Sequence, residues 1–84
     1  MSTQANTLYE AQMARIRLHR DARELENKAR REYWNNRINA ALGEKVPSQR
    51  HQDRVQNMYR VRAEELRMEG DKVLANAYTV GATQ

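Results

Sequence analysis

Helix breakers are so scarce in this chain that they nearly dictate its fold: one Pro and three Gly punctuate 84 residues. Only the stretch Gly43-Glu44-Lys45-Val46-Pro47-Ser48 concentrates them. Gly supplies the left-handed position that ends a helix, and Pro restricts the residue before it to extended backbone, so this stretch predicts a turn. The segments on either side are rich in charge and carry apolar residues at helical spacing. A short connection between two helices makes them antiparallel neighbours. The expectation is an all-α fold, an antiparallel two-helix hairpin of long helices.

The first helix is predicted over about 7–42. Thr7 and Glu10 have the T-x-x-E spacing of a capping box, in which each side chain satisfies a backbone N–H near the helix start. Residues 1–6 lack periodicity and read as a flexible lead-in. The turn covers 43–48, with Ser48 as a candidate cap for a second helix over about 49–80, followed by a tail at 81–84. One line of the first helix carries Ala11, Ala14, Leu18, Ala22, Leu25, Ala29 and Tyr33, in steps of three and four. This is a coiled-coil seam rich in Ala. The second helix answers with Val55, Met58, Tyr59, Leu66, Val73, Ala77 and Val80, interrupted by Arg62 and Glu69. Gly70 is a weak point of about 1 kcal/mol relative to Ala unless close packing demands it.

A second apolar set lies about half a turn from that seam on the first helix. Tyr9, Met13 and Ile16 sit near its start, and Trp34, Ile38 and Ala41 near its end. Val61 and Met68 lie similarly off the seam of the second helix. One neighbouring helix cannot cover both sides, so these residues predict burial against another copy or another protein. A break at Asn35 and Asn36, folding Trp34 and Ile38 into a compact three-helix core, is the alternative.

Composition narrows the chemistry. The chain has no Cys, which removes disulfides, thiol nucleophiles and Cys-based zinc sites. Its net charge is +4, with Arg providing most of the basic residues. Arg15, Arg17, Arg20 and Arg23, with His19, form the densest basic stretch. Together with Arg30 and Arg31 they are candidate contacts for nucleic acid or an acidic partner. Tyr33 and Trp34, close to Arg30, Arg31 and Arg37, could stack on bases or anchor a helix interface.

His19 and His51 have no ligand partner at i+4, and Glu64, Glu65, Glu69 and Asp71 have basic residues at ion-pairing distance along the helix. No nucleophile stands beside a base. No enzyme activity, cofactor or metal is expected. The first fifteen residues lack a basic segment leading into an apolar core, and no apolar run reaches membrane-spanning length, so a soluble, non-secreted protein is expected.

The run from Tyr59 to Gly70 (YRVRAEELRMEG), followed by Lys72 to Ala77 and the Val80-Gly81-Ala82-Thr83 ending, resembles segments of small helical virion proteins of tailed bacteriophages, of the internal or DNA-ejection type. That resemblance covers about thirty residues and rests on helical spacing and composition. It implies a structural or assembly role in a virion or in host cytoplasm, by helix–helix association with itself or another protein. The alternative is a small basic regulator that binds nucleic acid or a host protein.

Overall fold

The computed structural model describes residues 3–83, with side chains from 7 to 80. It is an antiparallel hairpin of two helices, α1 (Thr3–Ala41) and α2 (Gln49–Thr83), joined by one tight turn. The hairpin measures 63 × 20 × 9 Å along its principal axes. Neither helix is long and apolar enough to cross a membrane.

The turn forms as its residues dictate. Gly43 has φ +78°, the left-handed position that ends α1. The Gly43 N–H donates to Ala40 O at 3.1 Å and the Glu44 N–H to Asn39 O at 2.9 Å. These two bonds are the 5→2 and 6→1 pair of a Schellman motif, which satisfies carbonyls that the helix end would leave open. On the far side of the turn the Ser48 hydroxyl accepts from the His51 N–H at 3.2 Å, capping α2. Gln52 Nε2 donates to Pro47 O at 2.7 Å and ties the turn to the first turn of α2.

The helix ends differ from expectation. α1 begins at Thr3, so Thr7 lies inside the helix and Thr7 and Glu10 do not mark its start. Gln4 and Ala5 are good helix formers, and nothing at 3–6 forbids the extension. At the other end α2 continues through Gly81 to Thr83. A glycine stops a helix when it adopts positive φ, and among the described residues only Gly43 does. Met1, Ser2 and Gln84 lie outside the described residues. α1 runs unbroken through Asn35 and Asn36, so no third helix forms.

The seam of α1 keeps a seven-residue period from Leu8 to Asn39. Leu8, Ala11, Arg15, Leu18, Ala22, Leu25, Ala29, Glu32, Asn36 and Asn39 are all buried or half-buried. The seam of α2 is Gln52, Gln56, Tyr59, Ala63, Leu66, Gly70, Val73 and Ala77. This corrects both lines: Tyr33 on the first helix and Met58 and Val80 on the second are exposed, and Arg62 and Glu69 stand outside the seam. Small residues hold the places that a search for large apolar side chains passes over. Ala22 and Ala63 are fully buried and meet in the central cluster with Leu66, flanked by Leu18 and Leu25.

Gly70 explains why the helices lie so close. A Cβ placed there would stand 3.3 Å from Arg15 Cα and 3.4 Å from Arg15 O. Helix backbones touch at this point, so the close packing that would justify a mid-helix glycine is present. Nearer the turn the seam becomes polar. Gln56 Nε2 reaches across to Ala29 O at 2.8 Å, holding α2 to the backbone of α1.

Candidate protein-interaction surface

The buried apolar residues are Ala11, Ala22, Ala29, Ala63 and Leu66, and no large side chain is fully enclosed. Eleven large apolar or aromatic side chains are exposed, so most of the greasy surface of the described residues lies outside the seam. Six of the seven residues singled out from the sequence belong to this group. Tyr9, Ile16, Trp34, Ile38, Val61 and Met68 are all exposed, while Met13 is half-buried.

Near the turn, Trp34 and its neighbours form an ordered aromatic and basic cluster. The Tyr33 and Trp34 rings meet edge to face, centroids 5.3 Å apart. The Arg37 guanidinium lies 5.6 Å from the Tyr33 centroid and 5.7 Å from that of Trp34. Arg37 Nη1 also donates to Tyr33 Oη at 2.8 Å. The cluster packs Trp34 against Tyr33 and Arg37 while leaving it 52% exposed, the arrangement that suits an interface anchor. Sequence reasoning placed Arg37 near these aromatics without assigning it to the site. Its spacing of three and four residues from Trp34 and Tyr33 was the available signal.

The densest basic stretch does not act as one unit. Arg15 turns into the seam, where Nε meets Asp71 Oδ1 at 2.9 Å, and His19 Nε2 lies 3.0 Å from the same oxygen. Arg20 approaches Asp21 at 3.7 Å. Arg17 and Arg23 are exposed on different sides of α1. Arg30 lines a groove between the helices with Tyr33, Asp53, Asn57 and Arg60, whereas Arg31 lines the groove on the other face with Lys28 and Arg62. The six arginines expected to share a role are thus distributed around the hairpin.

Interhelical ion pairs bridge the two helices along the edges of the seam. Arg67 grips Glu26 with both guanidinium nitrogens, one bond measuring 2.9 Å. The bond from Arg67 holds the Glu26 carboxyl below its usual range, and Arg67 in turn is raised by the same bond. Asp71 is likewise lowered, first by its bond to Arg15 and then by His19. Part of the acidic cluster is therefore committed across the hairpin. Glu64 and Glu65 pair within α2 instead, with Arg60 at 3.4 Å and Arg62 at 3.2 Å. Among the described residues no three His, Asp or Glu side chains converge as a metal site would require.

Charge divides unevenly along the rod. Residues 25–62, the half nearest the turn, contain nine Lys or Arg and four acids. The remaining residues, at the open end, contain six and seven. No known protein family, curated protein or solved structure matches the chain.

Proposed function

We propose that this chain is a non-enzymatic assembly protein, a small phage-type structural component of a virion that acts through helix–helix association. The observation that carries the reading is the mismatch between its seam and its surface. Alanines, a glycine and three leucines make the intramolecular contact, while Trp34, Ile38, Tyr9 and Ile16 face water. Apolar burial contributes roughly 25 cal/mol per Å², and Ala offers little area, so the hairpin gains its larger share by covering its outer side chains. The radius of gyration, 18.9 Å, exceeds the roughly 12 Å of a compact domain of this length. Such a shape suits an assembly component better than an enclosed site for a small molecule. The resemblance of the α2 sequence to internal virion proteins supplies the biological setting.

Sedimentation equilibrium over a wide concentration range tests the association. Trp34→Ala should weaken it about tenfold or more, as expected of a central aromatic anchor, with little dependence on salt. A fixed copy number of the chain in purified phage particles would test the virion setting.

A second reading has its own support in the excess of cations at the turn half beside the exposed Trp34–Arg37 cluster. A regulator binding nucleic acid there would lose affinity steeply with added salt and on removal of Arg30 or Arg31. Titration of single-stranded and duplex DNA at several salt concentrations separates the two.

A further inference from the structure

Six of the eleven exposed apolar side chains, those of Tyr9, Ile16, Tyr78, Ile38, Leu42 and Met58, form two patches that differ in both end and face. The seam of α1 holds its seven-residue period from Leu8 to Asn39, so steps of seven stay on one side of the hairpin. Arg30 and Asn57 line the same groove. Steps of seven carry Arg30 back to Ile16 and Tyr9, and Asn57 forward to Tyr78. Tyr9, Ile16 and Tyr78, all exposed, therefore gather on that face at the open end.

Lys28, Arg31 and Arg62 line the opposite groove. Steps of seven lead from Lys28 to Leu42 and from Arg31 to Ile38, and Met58 stands one helical turn before Arg62. Leu42, Ile38 and Met58 are exposed on the second face, while Trp34, one turn before Ile38, stands on the outer edge with Tyr33 and Arg37 of the first face. This patch lies at the turn end.

We infer that a second copy of the chain covers each patch, and that the open-end patch of one copy docks on the turn-end patch of the next. This inference rests on the assembly reading above and specifies its geometry. Because the patches occupy opposite faces, the first face of one hairpin lies on the second face of the next, and each copy meets two neighbours. Such a contact is heterologous, leaves one patch free at each end of the stack, and grows into a ring or an open chain.

Charge selects this pairing. The turn half has five more cations than acids, and the open half one more acid than cations. Turn-to-turn docking would press like charge on like charge; turn-to-open docking relieves it. Area agrees. The chain exposes 6720 Å², whereas a compact monomer of this size exposes about 5200 Å². The surplus, about 1500 Å², is nearly twice the roughly 800 Å² that one partner gives to a standard interface, as two contacts per copy require.

The test uses two variants of the full chain, each damaged at one patch. Ile16→Lys with Tyr78→Lys removes the open-end patch; Ile38→Lys with Met58→Lys removes the turn-end patch, and the like charge keeps the two damaged patches apart. All four positions are exposed, and circular dichroism checks that each variant keeps its helicity. Wild type should grow past dimer as concentration rises, each variant alone should stay monomeric, and their mixture should give a 1:1 dimer and nothing larger. A wild type that stops at dimer, with variants that do not combine on mixing, would overturn this inference and leave the assembly reading standing. A wild type that is monomeric throughout would overturn both. Cross-linking gives an independent readout, since the chain has no native Cys. Ile16→Cys and Ile38→Cys should each fail to form a self-disulfide but should form a mixed one together. Self-disulfides in place of the mixed species would equally overturn the inference.

Discussion

Gly70 shows most directly how one residue sets the geometry of the molecule. Its missing side chain lets α2 rest against the backbone of α1 at Arg15, and a branched side chain there would have to push the helices apart. Gly70→Val should lower stability by about 1–3 kcal/mol despite removing a helix-weakening glycine, measured by urea unfolding. Gly70→Ala sets a helix-propensity gain of about 1 kcal/mol against a shift of a few tenths of an ångström. The valine variant is therefore the decisive one. Glu26 and Asp71 make the pH response readable. Both carboxyls are held below their ordinary values of 4.5 and 3.8 in the folded chain, so the ionised forms favour folding. Their contribution is full above those ordinary values and is lost as pH falls through the lowered ones. The melting temperature should be flat from pH 7 to about 5 and should fall below about pH 4. Arg67→Ala should shrink the part of that fall due to Glu26. Both pairs are solvent-exposed, so the effect is modest.

At the level of elements, the turn and the first-helix seam were legible in the sequence because each rests on residues with strong individual preferences. Gly43, Pro47 and Ser48 act locally, and Leu18, Ala22, Leu25 and Ala29 are apolar at the right spacing. The second seam was harder to read. Ala63 and Gly70 carry it, and neither looks like a core residue until the close approach of a partner helix is known. Arg15, Glu32 and Asn36 were obscured for the opposite reason, as polar residues whose outer ends reach the edge of a thin seam while their stems fill it. Helix limits followed neither Thr7 nor Gly81, since a cap or a glycine marks a boundary only where the chain turns away. Gly43 is such a place. With φ at +78°, Gly43→Ala should cost about 1 kcal/mol through backbone strain alone, as no atom lies within 4 Å of the added Cβ. Thermal melts of that variant beside Gly81→Ala, at a glycine inside α2, would show the contrast.

For the whole molecule, the exposed sites legible from the sequence were those set by helix period: Tyr9, Ile16, Trp34 and Ile38 all lie off the seam as counted. The role of the basic residues was less legible, because ion pairs between α1 and α2 depend on the alignment of the two helices. Arg15 and Arg67 engage acids 56 and 41 residues away in the chain. The smallest dimension of the hairpin, 9 Å, has a further consequence. In a single layer that thin few backbone amides outside the central seam are far from solvent, so brief fraying of either helix exposes its hydrogen-bonded protons. Deuterium uptake in dilute solution should be rapid along both helices, slowing at high protein concentration around Trp34 and Ile16, where neighbouring copies would seal the helices from water. Slow exchange that ignores dilution would mean that one thin layer sustains itself unaided.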